Sequence, residues 1–165
     1  MTKKGSTAKK KAFDSPQQQV YLSMWRTYDR LRAIEEALFD RWNLTAQQYN
    51  VLRLLEAKHP DPLPTLQLSA RLISRAPDIT RILDKLEDQG WIQRDRSTAD
   101  RRAVLVALTP KGRLQLKEMA TEVKRMHVAQ LGHLTVEQMR DLLALLEIAR
   151  APHEPQGSDW KKENG

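Results

Sequence analysis

The side chains with the most chemistry to offer fall into two groups close together in the chain. Asp78, Thr80, Arg81, Asp84, Lys85 and Asp88 recur at the steps that bring residues to one side of a helix. Guanidinium, ammonium and hydroxyl donors in such a row suit the edges of bases and the oxygens of phosphates. The second group, Asp100-Arg101-Arg102, closes the turn-rich run Ser97-Thr98-Ala99-Asp100-Arg101-Arg102. An arginine pair there suits phosphates or a narrow minor groove, where negative potential is concentrated. Each group has a plainer reading, because charged helix faces are usually solvated and hairpin tips are often charged for solubility. Their occurrence in succession is the stronger signal.

Covalent and metal chemistry find little support. His59, His127, His133 and His153 are scattered, and no pair has the i, i+4 spacing of a helical metal site. There is no G-x-S-x-G, P-loop or zinc-hydrolase motif. The chain contains no cysteine, which excludes disulfides, thiolate ligands and thiol-based redox sensing. An enzyme is not expected, and neither is a cofactor or a metal.

The elements that must position the two groups are legible around them. Within 76–89, Ile79, Ile82, Leu83 and Leu86 fall at i, i+3, i+4 and i+7, so one face of a helix is committed to a core. Asp78, Thr80, Arg81, Asp84, Lys85 and Asp88 then face outward. Pro77 is tolerated in the first turn, and Gly90 can adopt the left-handed conformation that ends the helix. Thr65 is the expected N-cap of a preceding helix over 66–72, joined to the next by Ile73-Ser74-Arg75. After Gly90, the runs 91–96 and 103–108 have strand character, with Val104, Val106 and Leu108 alternating against Ala103, Leu105 and Ala107. Helix, turn, helix and hairpin in that order make a winged helix-turn-helix, whose second helix can enter a DNA major groove.

Composition agrees with a nucleic-acid partner. The 165 residues carry a net charge of +7, and the pI of about 9.8 is in the range where such a partner leads. Residues 65–113 hold ten Lys/Arg against six Asp/Glu, so the excess lies partly on the proposed DNA-facing part. The length suggests one domain. No apolar run approaches the roughly 20 residues of a bilayer span, and the basic start leads into Gln17-Gln18-Gln19 where a signal core would be apolar. A cytoplasmic protein without membrane contact is expected.

The flanks are helical. Residues 1–15, with Lys3, Lys4, Lys9, Lys10 and Lys11, read as a mobile basic arm. Over 16–42 the stripe Val20, Met24, Tyr28, Leu31, Leu38 and Trp42, broadened by Trp25, Ile34 and Phe39, predicts a long helix. Thr45-x-x-Gln48 is a capping box with Leu44 and Tyr49 as its staple, and His59-Pro60-Asp61-Pro62-Leu63-Pro64 is a stiff connector. Thr109-Pro110 restarts a helix that runs to 131, where Gly132 ends it, and Thr135-x-x-Gln138 opens the last helix, 135–150. Residues 151–165 form a polar tail. The domain thus spans 16–150, its DNA-binding part about 45–108. The helices 16–42, 110–131 and 135–150 are expected to pair two chains and set two recognition helices about one DNA turn apart.

The run Ile79-Thr80-Arg81-Ile82-Leu83-Asp84-Lys85-Leu86-Glu87-Asp88-Gln89-Gly90-Trp91-Ile92, then Asp95-Arg96, Asp100-Arg101-Arg102 and Val104-x-Val106-x-Leu108-Thr109-Pro110-x-Gly112, closely resembles the MarR family of transcriptional regulators. The likeness is strongest over 76–113 and extends more loosely over about 17–150. It implies a mainly α fold with a small β-hairpin wing, an α+β class. It further implies a homodimer binding double-stranded DNA at palindromic operators, usually as a repressor, and released by a small, often aromatic or phenolic, effector. Carried over by position, Asp78, Thr80, Arg81 and Lys85 meet the major groove with Arg75 at its entrance. Arg102 is the preferred minor-groove residue, with Arg101 nearby and Asp100 orienting an arginine. Two departures stand out: Ile73 lies where the turn often has glycine, and the proline-rich 60–64 loop is unusual. The effector pocket implied by the resemblance draws on Trp25, Arg26, Tyr28, Arg32 and Tyr49; the alternative is that these aromatics are core and the arginines surface. A winged-helix module used for architecture or protein contacts, without a specific operator, is the competing function.

Overall fold

In the computed structural model, which describes residues 13–73, 78–98, 100 and 102–154, Pro16 opens a helix of 26 residues, α1 (Pro16–Arg41). The Ser15 side chain accepts from the Gln18 N–H, and the proline occupies a position where an N–H would lack an acceptor. α1 buries only Leu38 and Phe39, near its C-terminal end. Asn43 turns the chain in the left-handed region at φ 52. α2 (Ala46–Glu56) then starts at the expected capping box, with Thr45 and Gln48 each accepting the other's backbone N–H. It is the centre of the molecule, burying Val51, Leu52, Leu54 and Leu55.

The proline-rich run does more than connect. Leu63–Pro64 form a short strand, β1, ahead of α3 (Thr65–Arg71), α4 (Ile79–Asp88), β2 (Ile92–Arg96), β3 (Val104–Leu108), α5 (Pro110–Leu131) and α6 (Val136–Arg150). The sheet is antiparallel in the order β1-β3-β2, with Leu63 opposite Val106 and β2–β3 in register from Ile92 and Leu108 to Arg96 and Val104. The expected two-stranded hairpin therefore gains a third strand, and proline is tolerated there because β1 lies at an edge. Thr65 is a correction: it is the first residue of α3, Pro64 stands at the cap without a side-chain bond, and the Thr65 hydroxyl donates to the Val104 carbonyl at 3.1 Å. That bond ties the helix-turn-helix to the wing.

One core joins these elements, with Phe39, Leu52, Leu55, Leu68, Leu83, Leu86, Ile92, Val106 and Met119 almost wholly enclosed. α5 belongs to it, burying Leu116, Met119, Val123 and Met126 within its own chain. α6 does not: it buries nothing, and Leu142, Leu143, Leu145, Leu146 and Ile148 all stand exposed. The N-terminal half of α1 likewise exposes Val20, Tyr21, Met24, Trp25 and Tyr28. The polar tail expected from residue 151 begins with a 3₁₀ turn, Ala151–His153, beside an Arg150–Glu154 ion pair of 2.6 Å. No helix among the described residues is long and apolar enough to cross a membrane.

Candidate nucleic-acid interface

α4 is held from below and open from above. Leu83 and Leu86 are buried, Ile79 and Ile82 pack partly against the same core, and Thr80, Arg81 and Lys85 are exposed on the other side. Asp78 has a different place from the one expected. It is the N-cap of α4, its carboxylate accepting from the Arg81 N–H at 3.0 Å, because the helix begins at Ile79 and not at 76. Its acidic charge at that end complements the helix dipole. Arg75 lies outside the described residues.

The C-terminal half of α4 is fastened by a residue that the sequence pattern did not single out. Arg94 of β2 donates through Nε to Glu87 at 2.8 Å and through Nη2 to Asp84 at 2.7 Å, and its backbone N–H also reaches Glu87 at 3.0 Å. The guanidinium thus spans two acids one helical turn apart. Hydrogen bonding from Arg94 holds the Glu87 carboxyl below the ordinary range, and the same bonds raise the guanidinium. Asp84, read from the sequence as outward-facing, is partly spent on this contact. The available signal was the spacing of Asp84 and Glu87 ahead of a strand that starts two residues after Gly90.

The link between α4 and β2 is equally constrained. Gly90 adopts φ +71, and the Thr109 hydroxyl donates to the carbonyls of Gly90 at 2.8 Å and Trp91 at 3.1 Å while accepting from the Gly112 N–H at 3.0 Å. Lys111 Nζ donates to the Gln89 carbonyl at 2.7 Å. A Cβ on Gly112 would lie 2.2 Å from the Trp91 oxygen, so the start of α5 sits directly against the link that follows α4.

At the wing tip, the Asp100 carboxylate accepts from the backbone N–H of Arg102 at 2.9 Å and so shapes the turn, while the Arg101 guanidinium that it was also expected to orient lies outside the described residues. Ser97 and Ala103 close the same turn through Ser97 N–H to Ala103 O at 2.9 Å. Arg102 is exposed, and Arg101 lies outside the described residues. Between wing and α4 runs a cleft of about 380 Å³, lined among others by Thr80, Leu83, Arg94, Arg102 and Val104. Thr80 and Arg102, expected on different elements, thus share one concavity.

The five residues proposed for an effector are not gathered together within the chain. Trp25 and Arg26 line a shallow depression of about 570 Å³ with Phe13, Leu22 and Asp29. Tyr28 is exposed, and Arg32 is paired with Glu36 at 2.6 Å. Tyr49 packs on Phe39 with ring centroids 4.8 Å apart, and burial pushes its hydroxyl pKa up. The capping-box staple draws Tyr49 into the core, whereas Trp25, Tyr28 and Arg32 share the free side of α1. A separate depression of about 460 Å³ lies between α1 and α5, lined by Ile34, Leu38, Arg41, Glu122 and Met126, with Arg41 and Glu122 paired across it. Residues so far apart in the chain leave no local signal.

The MarR family model matches residues 44–104. A MarR transcription factor from Planctomyces limnophilus is 48% identical, with 82% of this chain and 98% of that one covered and a TM-score of 0.66. BpsR of Bordetella bronchiseptica, whose DNA binding is regulated by 6-hydroxynicotinic acid, is 26% identical over 79% of this chain and 98% of its own, with a TM-score of 0.69. Sco3205 of Streptomyces coelicolor, a MarR family regulator solved with DNA, shares the fold at a TM-score of 0.77 and 22% identity, covering 90% and 99%. The chain belongs to the MarR family and is a DNA-binding transcriptional regulator.

Proposed function

We propose that the protein is a homodimeric repressor that binds near-palindromic operators and is released by a small aromatic effector. The observation that carries the DNA reading is the exposed row Thr80, Arg81 and Lys85 beside Arg102, on an α4 clamped by Arg94. Arg81 and Lys85 reach guanine or phosphate in the major groove, Thr80 adds a hydroxyl, and Arg102 enters the minor groove. Asp78 and Asp100 act indirectly, as cap and turn acceptor. Arg75 and Arg101, outside the described residues, are further DNA contacts in this reading.

The homodimer is supported by the exposed apolar side chains of α1 and α6. A helix such as α6 has no stability of its own and needs a surface to cover its leucines. Two-fold pairing would place two recognition helices on successive major grooves, hence the near-palindrome. The regulation of BpsR by a hydroxylated aromatic acid supports an effector of that class here. Trp25 and Tyr28 would stack on its ring, and Arg26 or Arg32 would pair with its carboxylate, with Tyr49 set apart from them against Phe39.

The test is a titration of the protein against its own upstream intergenic DNA and a random duplex of equal length, at several salt concentrations. The expected result is dimer-stoichiometric binding about 10³-fold or more tighter to the first, lost on addition of a hydroxylated aromatic acid. Arg81→Ala should relax that preference by about 1–3 kcal/mol. Equal, salt-labile binding to both duplexes would replace this reading with the architectural one.

A further inference from the structure

β2 carries three residues on one face, and they meet three different fates. Ile92 stands opposite Leu108 and is buried; Arg94 stands opposite Val106 and is neutralised by Asp84 and Glu87; Arg96 stands opposite Val104 and is exposed. Alternation places all three on the side of the sheet that faces the core, with Arg96 one pleat, about 6.8 Å, nearer the tip than Arg94. Among the described residues Arg96 makes no hydrogen bond or ion pair through its side chain.

The backbone adds a second feature. β2 is an edge strand. The Arg94 N–H points away from β3 to Glu87, whereas the Ser97 N–H points toward β3, to the Ala103 carbonyl. In an antiparallel ladder these directions alternate, so the Arg96 N–H also points outward, along the unpaired edge. Arg96 therefore offers a guanidinium and a backbone N–H at the tip end of the wing strand, and Val104 opposite it lines the cleft shared with Thr80 and Arg102.

We propose that Arg96 holds a phosphodiester of the DNA strand that passes between α4 and the wing, a contact that adds affinity without sequence preference. This rests on the DNA-binding reading above. It divides the arginines of one strand face into two jobs: Arg94, with its charge already compensated, positions α4, and Arg96 meets the nucleic-acid backbone. Phosphate contacts of this kind fix register and orientation and carry no base information.

The test compares wild type, Arg96→Gln, Arg96→Lys and Arg102→Ala on the chain's own upstream intergenic DNA and on a random duplex of equal length. Losing one phosphate contact per protomer should reduce the slope of log affinity against log salt by about 0.9 each, or about 1.8 for a dimer. The wild-type advantage over Arg96→Gln then shrinks about tenfold between roughly 50 and 200 mM salt. That loss should be equal on both duplexes, Arg96→Lys should restore most of the slope, and the melting temperature should stay unchanged because the Arg96 side chain holds no partner among the described residues. An Arg96→Gln slope equal to wild type, or a change confined to the preferred duplex, overturns the assignment alone. Absence of wild-type binding to either duplex overturns the DNA reading together with it.

Discussion

Gly112→Ala is the sharpest test of how the recognition element is anchored. The added Cβ would stand 2.2 Å from the Trp91 oxygen, 2.9 Å from Leu108 Cδ1 and 3.0 Å from the Trp91 carbonyl carbon. Comfortable contact lies near 3.5 Å, so the carbonyl must retreat by roughly 1 Å. It cannot do so freely, since it accepts from the Thr109 N–H at 3.0 Å and the Thr109 hydroxyl at 3.1 Å. Weakening two hydrogen bonds costs about 1 kcal/mol each, and overpacking adds about 1–3 kcal/mol. The better helix propensity of alanine returns at most about 1 kcal/mol. The net loss is about 2–4 kcal/mol, equivalent to a melting temperature lowered by about 5–15 °C in a chain of this length. Urea denaturation followed by circular dichroism, repeated at several protein concentrations to separate dissociation from unfolding, reads it directly. A variant within about 0.5 kcal/mol of wild type would mean that α5 is not pressed against Trp91.

Three further outcomes follow from the same geometry. Arg94→Ala should cost about 1–2 kcal/mol after allowance for the partial exposure of Asp84 and Glu87, and Arg94→Lys should recover less than half, because an ammonium cannot span both acids; full recovery in a denaturation series would contradict the two-acid contact. Glu87 is held below the ordinary carboxylate range chiefly by hydrogen bonding to Arg94, so its stabilisation is complete above the unfolded value of about 4.3 and is lost as pH falls through the lower folded one. Glu87→Gln should therefore be less stable than wild type at neutral pH, with the gap closing in acid; a constant gap refutes the linkage. Leu143→Glu should shift the protein to monomer in sedimentation equilibrium, and an unchanged dimer would remove α6 from the proposed interface.

Local pattern was enough for much of this molecule. The spacing of Ile79, Ile82, Leu83 and Leu86 set the buried side of α4, and the boxes at Thr45 and Thr135 marked the starts of α2 and α6. What escaped depends on partners distant in the chain. Leu63–Pro64 read as a connector because pairing with Val106 has no local sign, and the Thr65 hydroxyl went to Val104 for the same reason. Asp78 and Asp100 were legible as acids at the expected DNA-facing surface, and both serve nearby backbone N–H groups, a competition in which short carboxylates regularly succeed. Arg94 was hidden by its own neighbourhood, since one arginine close to Arg96, Arg101 and Arg102 gives no hint that it faces two carboxylates. The effector residues on α1 were grouped by family likeness, and the fold draws Tyr49 inward while leaving Trp25 and Tyr28 outside.

The seat of Gly112 against Trp91 makes α5 a lever whose short end bears the recognition helix. Its 22 residues give it a length of about 33 Å. If it pivots near Thr109, a tilt of about 5° moves its far end by about 3 Å, while the carbonyls of Gln89, Gly90 and Trp91, held by Lys111 and Thr109 at the pivot, turn with it and scarcely translate. Rearrangement at the α6 end of the molecule would thus reach the DNA as a change of angle. In the proposed homodimer two such angles, one per subunit, would act on the fit to successive major grooves without breaking any contact inside either reading head.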